Sequence, residues 1–238
     1  DGITIPVQPL SIENDLWTHQ KIAIQAWLSP NDWQSNLDTE LSDYLQNQST
    51  QQPTTTNRPN QGIFAMATGS GKTRTAVAAS LYAPNEVITI VALPLTILSQ
   101  WEDEIKSWLP ENLKIVYAKS SGGNWEQQLP SHLGVYRLGS PPSTLPRLFI
   151  LGSYDTISSD RFVSLFDGIA SKFVQFIGDE VHNFGTEKRD NAFKIKADRI
   201  MGLSATHTRH WDDPGTTEIE THFGKPVYEF NIQDGIDQ

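Results

Sequence analysis

Cysteine is absent from this 238-residue sequence, and so is any long run of apolar residues. Without cysteine the chain can form neither a disulfide scaffold nor a zinc site with thiolate ligands. No apolar run approaches the ~20 residues that a membrane-spanning helix needs, and the first residues lack the basic-then-apolar order of a signal peptide. We therefore expect a soluble, cytoplasmic protein with no membrane partner.

Basic residues are also scarce. The 18 lysines and arginines are outnumbered by 28 aspartates and glutamates, which gives a formal net charge of −10. A protein that holds nucleic acid by its overall charge needs clustered basic residues to displace counterions from phosphates, so any contact with nucleic acid must be local. The hydrophobic share of 37% still falls in the range of globular chains, and we expect one large α/β domain with extensions.

The first 61 residues differ in character from the rest. Residues 10–28 space their apolar side chains as an amphipathic helix does, with Asn14 or Asp15 as the candidate cap. Residues 46–62 are polar and almost free of large apolar groups, which is typical of a loop or linker. We therefore divide the chain into an N-terminal helical element with a polar linker, residues 1–61, and a main domain, residues 62–238.

From residue 62 onward, short apolar runs alternate with helical patterns. This alternation predicts an α/β fold with a central, mainly parallel sheet flanked by crossover helices. Glycine, serine and proline break the rhythm over residues 119–146, which we interpret as a surface insertion. The rhythm resumes with the apolar run that begins at residue 147.

Residues 66–73, MATGSGKT, form the first segment with a chemical signature. An apolar run precedes it and a helical pattern follows, which is the order of strand, phosphate-binding loop and helix. In such a loop, backbone N–H groups and the start of the helix face a phosphate, a lysine neutralises its charge and a hydroxyl binds Mg²⁺. Met66 stands where the pattern begins with glycine, and the alternative is a simple Gly-Ser turn. The predicted ATP-binding residues are Thr68, Gly69, Ser70, Gly71, Lys72, Thr73 and Arg74, with Thr73 also a Mg²⁺ ligand.

A second candidate site follows the apolar run at residues 173–178. Asp179 and Glu180 come directly after it, and ligands of parallel sheets bind at the carboxyl ends of strands. There Asp179 can bind Mg²⁺, Glu180 can deprotonate the water that attacks the γ-phosphate, and His182 can sense that phosphate. Two acidic residues after a strand are by themselves a common loop start, but the upstream phosphate loop favours the catalytic interpretation.

These two segments together resemble the superfamily 2 helicases and translocases, whose acidic motif reads Asp-Glu-x-His; here it is residues 179–182. Residues 16–20, LWTHQ, look like the adenine-recognition segment of that family, in which Gln20 would read the base. Trp17 stands where the family often has an arginine. The resemblance implies a RecA-like P-loop domain that binds ATP and Mg²⁺.

Further segments extend the resemblance. Residues 92–101 are similar to motif Ia, and residues 152–156 look like a later loop that contacts the nucleic-acid backbone. Residues 204–206 resemble motif III, which couples the nucleotide site to strand contact, although His207 replaces the usual proline. Residues 223–230 are similar to the stretch before the second motor domain of type III restriction enzyme helicase subunits. The resemblance assigns nucleic-acid contacts to Pro94, Leu95, Thr96, Gln100 and Ser153, and coupling to Ser204, Ala205 and Thr206.

The resemblance implies an ATP hydrolase that couples hydrolysis to movement on nucleic acid, with DNA favoured over RNA and a restriction or defence setting. The remaining family motifs, including an arginine finger, belong to a second RecA-like domain. We therefore expect the chain to be part of a longer protein and to hydrolyse ATP barely by itself. The alternatives are a nucleotide-dependent switch or scaffold that no strand stimulates, and a kinase-type or transporter-type P-loop ATPase.

Two other groups of residues allow a functional or a structural interpretation. Trp101 and Trp108 could stack on bases, but their seven-residue spacing on one helix favours core packing. Residues 207–213 contain two histidines and two aspartates at spacings that metals can use. Their sequence has the character of a loop, which favours a structural interpretation over a zinc site.

Overall fold

Seven parallel strands form one sheet in the computed structural model, which describes residues 15–109, 111–121, 123–205, 213–231 and 233–234. The strands lie in the order β3-β4-β2-β5-β6-β1-β7, and every paired neighbour is parallel. The predicted α/β fold with a parallel sheet is confirmed. The strands are β1 (Gln61–Met66), β2 (Ile88–Ala92), β3 (Leu113–Ala118), β4 (Arg147–Gly152), β5 (Val174–Asp179), β6 (Arg199–Ser204) and β7 (Pro226–Phe230).

Helices cover both faces of the sheet. Consecutive strand side chains alternate between two buried cores: Ile63 packs in one and Phe64 in the other. Burial on both faces explains why the strands appear in the sequence as nearly continuous apolar runs. One face carries α1 (Thr18–Leu28), α2 (Thr39–Gln46), α3 (Lys72–Ser80) and α4 (Leu98–Trp108); the other carries α5 (Trp125–Arg137), the short helices α6 (Tyr154–Ile157), α7 (Asp160–Val163) and α8 (Glu187–Asp190), and α9 (Asp213–Phe223).

The N-terminal helix packs on this sheet. Its Trp27 is fully buried and donates its indole N–H to the carbonyl of Ile200 at 3.0 Å. The helix begins later than predicted, at Thr18, so the predicted cap at Asp15 is wrong, while Asn14 lies outside the described residues. The Gln20 side chain accounts for this start, because its Oε1 accepts the backbone N–H of Trp17 at 2.9 Å and so pairs a group that the helix leaves open.

Residues 47–60 connect α2 to β1 without helix or strand, as predicted. Their polar side chains lie along the edge strand β7. Gln52 accepts the backbone N–H of Glu229 at 3.0 Å and donates to its carbonyl at 2.9 Å, and Asn57 donates to the carbonyl of Lys225 at 2.7 Å. Backbone groups that an edge strand would otherwise leave open are thereby paired.

The interpretation of residues 119–146 as a surface insertion is wrong for its central part. Residues 125–137 form α5, whose Trp125, Leu129, Leu133 and Tyr136 are buried in the core of one face. Their spacing is helical, but the glycines and prolines around them, and Pro130 within the helix, obscure that spacing in the sequence. Among the helices in the described ranges, none has the length and apolar character needed to cross a bilayer.

Candidate functional site

The predicted site segments follow five adjacent strands of the sheet, at the carboxyl ends of those strands. In the order β4, β2, β5, β6 and β1, the strand ends carry Ser153, residues 94–100, Asp179 with Glu180, Ser204 with Ala205, and the phosphate loop. Because the strands are parallel, all these carboxyl ends lie on the same side, where α/β proteins bind ligands. Thr206 and residues 207–212 lie outside the described residues.

The phosphate loop bends at two glycines, Gly69 and Gly71, with φ angles of 85° and 78°. Helix α3 begins directly afterwards at Lys72, whose ammonium lies in the bend and donates to the carbonyl of Met66 at 3.0 Å. The left-handed φ at Gly71 favours glycine, and a Cβ there would also lie 2.3 Å from Gln20 Nε2, so the Gln20 amide would have to move. The loop thus combines a tight backbone turn, a helix N-terminus and a lysine, which suits an anionic phosphate group.

Two side chains of α1 contact backbone carbonyls of this loop. The buried Gln20 lies with its Nε2 3.4 Å from the carbonyl of Gly71, and His19 Nε2 lies 2.9 Å from the carbonyl of Ser70. Since a carbonyl only accepts, His19 carries its proton on Nε2. Burial lowers the pKa of His19, which favours this neutral form. Sequence reasoning missed His19, although it stands next to Gln20 in the segment quoted for adenine recognition.

Asp179 is the buried carboxylate of the site. Its Oδ2 accepts the indole N–H of Trp101 at 2.7 Å, and its backbone carbonyl accepts the hydroxyl of Tyr154 at 2.5 Å. Burial raises the pKa of the Asp179 carboxyl, and the bond from Trp101 acts in the opposite direction. The core packing predicted for Trp101 and Trp108 is confirmed, since Trp101 is fully buried and Trp108 packs against the same core. The bond from Trp101 to Asp179 was not predicted.

The predicted Mg²⁺ ligands fit that ion. Thr73 offers a hydroxyl and Asp179 a carboxylate, both of which are hard oxygen donors. Gln100 connects Thr73 to α4, with its Nε2 3.5 Å from Thr73 Oγ1. Within the described ranges no cluster of three or more His, Cys, Asp or Glu residues could hold a metal. A sparse protein ligand set of this kind is typical of Mg²⁺, which keeps waters and binds phosphate oxygens.

Glu180 lies in a left-handed backbone conformation, with φ of 51° and ψ of 61°. Such a conformation is costly for a residue other than glycine, and residues that adopt it cluster at functional sites. Its carbonyl accepts the side-chain N–H of Asn183 at 3.0 Å. His182 Nδ1 lies 3.4 Å from Glu180 Oε2 and 3.5 Å from Ser204 Oγ. His182 therefore connects the second acidic residue to the end of β6.

The segments predicted to contact nucleic acid are adjacent. Leu95 is 45% exposed in the 3₁₀ turn between β2 and α4, and the backbone N–H of Leu93 before it donates to Gly152 at 2.9 Å. The Ser153 hydroxyl accepts the backbone N–H of Thr156 at 3.2 Å. The Arg74 guanidinium contacts residues outside the phosphate loop: it lies 3.2 Å from Glu104 Oε1 and donates to the carbonyl of Asp15 at 3.1 Å.

The fold and this row of segments define a RecA-like P-loop domain of the helicase type. The family model described as type III restriction enzyme, res subunit matches residues 13–209. The chain therefore belongs to that family, which confirms the resemblance predicted from its motifs.

Solved structures of helicases and restriction enzymes share the fold. The Hef helicase domain of Pyrococcus furiosus is 16% identical with a TM-score of 0.52, and the match covers 72% of this chain and 35% of that one. The type ISP restriction-modification enzyme LlaGI, in complex with a DNA substrate mimic, is 14% identical with a TM-score of 0.54. That match covers 93% of this chain and 20% of that one. The ATP-dependent type ISP restriction-modification enzyme LlaBIII, bound to DNA, is 15% identical with a TM-score of 0.57. That match covers 93% of this chain and 15% of that one.

This chain spans about a third or less of the length of these three proteins. At 14–16% identity the similarities establish the fold. A search among curated proteins finds no significant match.

Proposed function

We propose that this chain is the ATP-binding motor domain of a nucleic-acid-dependent ATPase, which moves along DNA together with a second RecA-like domain. The observation that best supports this proposal is that the phosphate loop, Ser204 and the acidic pair lie at the carboxyl ends of the adjacent strands β1, β6 and β5. In this proposal residues 1–61 supply the adenine-recognition element and residues 62–238 the RecA-like domain. The res subunit family supports a restriction or defence setting and does not favour the switch or scaffold alternative.

The phosphate loop would hold the triphosphate of ATP. Backbone N–H groups at the bend and the first turn of α3 face the phosphates, and Lys72 neutralises the β- and γ-phosphates. Gln20 would read the adenine after its amide turns from its present partners, the backbone N–H of Trp17 and the carbonyl of Gly71, because an amide can both donate to and accept from a base edge. Thr73 and Asp179 would hold Mg²⁺, which when bound neutralises charge on the phosphate oxygens.

Hydrolysis would depend on Glu180. Its carboxylate orients the attacking water and accepts a proton from it as the oxygen approaches the γ-phosphate. His182 lies between Glu180 Oε2 and Ser204 Oγ, so a change at the γ-phosphate can reach the end of β6. Ser204, Ala205 and Thr206 would transmit that change to the nucleic-acid side.

Nucleic acid would bind along the ends of β2 and β4 through Pro94, Leu95, Thr96, Gln100 and Ser153. Main-chain amides and hydroxyls can hold a phosphate backbone without net positive charge, which is consistent with the acidic composition. DNA is favoured over RNA because the similar LlaGI and LlaBIII structures contain DNA or a DNA mimic.

The test is steady-state ATP hydrolysis by the full-length protein, alone and with DNA or RNA of the same sequence. We expect DNA to stimulate hydrolysis more than RNA does. Stimulation by RNA alone would refute the assignment of DNA, and hydrolysis unaffected by either strand would refute the motor proposal. Robust strand-stimulated turnover by residues 1–238 alone would refute the need for a second domain.

A further inference from the structure

Asp179 is held from two directions by buried side chains that donate hydrogen bonds. Trp101, fully buried in α4, donates its indole N–H to the carboxylate oxygen Oδ2 at 2.7 Å. Tyr154, 7% exposed in α6, donates its hydroxyl to the main-chain carbonyl at 2.5 Å. One bond fixes the carboxylate group and the other fixes the peptide that carries it.

Both donors are adjacent in sequence to residues of the proposed nucleic-acid surface. Tyr154 directly follows Ser153, and Trp101 directly follows Gln100 in the first turn of α4. That helix begins at the end of the 3₁₀ turn Leu95–Ile97, whose Leu95 and Thr96 are exposed. A displacement of either segment by a bound strand therefore moves a group that is bonded to Asp179.

This route uses other residues than the one through β6, and Asn183 joins the two: its side-chain Nδ2 lies 3.4 Å from Tyr154 Oη and 3.5 Å from His182 Nε2. His182 and Ser204 lie next to Glu180, whereas Trp101 and Tyr154 contact Asp179. The two acidic residues are consequently contacted from opposite sides, Glu180 from β6 and Asp179 from segments that follow β2 and β4.

We propose that Trp101 and Tyr154 are positioning residues, which orient Asp179 toward Mg²⁺ and transmit nucleic-acid binding to it. The proposal rests on the proposed function. With Oδ2 bonded to the indole, the carboxylate cannot rotate freely, so its other oxygen keeps one direction. Groups of this kind orient metal ligands, and their removal typically weakens metal affinity by about 10–100-fold. Coupling between two sites is reciprocal, so bound nucleotide with Mg²⁺ must also change the affinity for the strand.

The test uses Tyr154→Phe and Trp101→Phe in the full-length protein. Matched controls are Tyr228→Phe, which removes a buried hydroxyl bonded to Gln48 at 3.0 Å, and Trp27→Phe, which removes a buried indole N–H bonded to Ile200 at 3.0 Å. DNA affinity is measured with and without a non-hydrolysable ATP analogue and Mg²⁺. The Mg²⁺ concentration needed for analogue binding is measured separately, without DNA.

In the wild type we expect the analogue to change DNA affinity by roughly 5–150-fold, the usual range of coupling between sites. In Tyr154→Phe and Trp101→Phe this factor should fall toward one, while both controls keep it. Trp101→Phe should also need about 10–100-fold more Mg²⁺. If Trp101→Phe does not fold, Tyr154→Phe decides the question, because it removes only one oxygen atom. The Asn183 amide, which also contacts that oxygen, keeps its bond to the Glu180 carbonyl at 3.0 Å.

The two proposals fail in different ways. Variants that keep the wild-type factor and Mg²⁺ requirement would refute the positioning role and leave the motor function intact. A wild-type protein that binds the analogue but whose DNA affinity never responds to it would refute the motor function, and the positioning role with it.

Discussion

The phosphate loop and the acidic strand end are built in different ways. The loop takes its shape from adjacent residues, because Gly69 and Gly71 make the bend and α3 begins at Lys72. The acidic end takes its shape from distant residues: the donor to the Asp179 carboxylate, Trp101, lies 78 positions away in the chain. One half of the candidate site is therefore encoded locally, and the other half exists only in the folded chain.

The largest effect is expected at the acidic end. Glu180→Gln removes the group that accepts the proton of the attacking water, and a general base typically contributes about 10²–10⁴-fold to the rate. We expect strand-stimulated ATP hydrolysis to fall by that factor while the affinity for an ATP analogue is retained. Glu187→Gln changes an exposed carboxylate on α8 and should leave the rate unchanged. Equal loss in both variants, or loss of analogue binding in Glu180→Gln, would contradict the assigned role.

At the phosphate loop we expect a loss of nucleotide affinity, which Glu180→Gln should retain. Lys72→Met removes a charged hydrogen bond to phosphate worth about 1.5–3 kcal/mol, so the affinity for the ATP analogue should fall about 10–100-fold. Lys106→Met removes an exposed lysine of α4 that pairs with Glu102, and calorimetry should find its nucleotide affinity unchanged. Wild-type affinity in Lys72→Met would show that the bend does not hold the phosphates.

Gly71→Ala tests whether the loop depends on the α1 side chains that contact it. The left-handed φ of 78° costs a residue with a Cβ about 1–3 kcal/mol, and the new Cβ would also meet Gln20 Nε2 at 2.3 Å. Gly139→Ala is the control, since Gly139 has a φ of 79° with no atom within 4 Å of the added Cβ. Denaturant unfolding should show a larger loss of stability for Gly71→Ala, with reduced nucleotide affinity in that variant alone. Equal losses of stability would mean that the contact with Gln20 adds nothing.

The smallest effect is expected at the surface, where α3, the helix after the phosphate loop, meets α4, the helix that carries Trp101. Arg74 of α3 pairs with Glu104 of α4 at 3.2 Å, and both side chains are partly exposed. Glu104→Gln removes the charge but keeps an acceptor for the indole N–H of Trp108. The free energy of unfolding should fall by about 0.2–1 kcal/mol, as for other exposed pairs. The exposed Glu218→Gln serves as the reference, and a loss well above this range in Glu104→Gln would indicate a structural role for the pair.

Much of the fold could be predicted from the sequence where signals were local and periodic. The apolar runs gave the parallel strands from β1 to β6, and the GSGKT segment marked the start of α3. The helix α5 was missed because Pro130 and the surrounding glycines obscure the spacing of Trp125, Leu129, Leu133 and Tyr136. The start of α1 was placed too early because the Gln20 side chain, rather than an upstream polar residue, pairs the first open N–H.

The candidate site divides in the same way. Lys72, Asp179 and Glu180 could be proposed from short motifs, since their chemistry follows from residue type and neighbouring strands. The contacts of His19, Trp101 and Tyr154 could not, because each joins segments that only the sheet order brings together. Trp101 was correctly predicted to be a core residue, but burial alone does not reveal that its indole N–H is directed at a carboxylate.

The account depends most directly on nucleotide binding at the end of β1. Isothermal titration calorimetry of the full-length protein with a non-hydrolysable ATP analogue and Mg²⁺ tests it. We expect the analogue to bind at one site per chain. Lys72→Met should weaken this binding, and Lys106→Met should leave it unchanged. No heat of binding at millimolar analogue, or equal binding in wild type and Lys72→Met, would contradict the account.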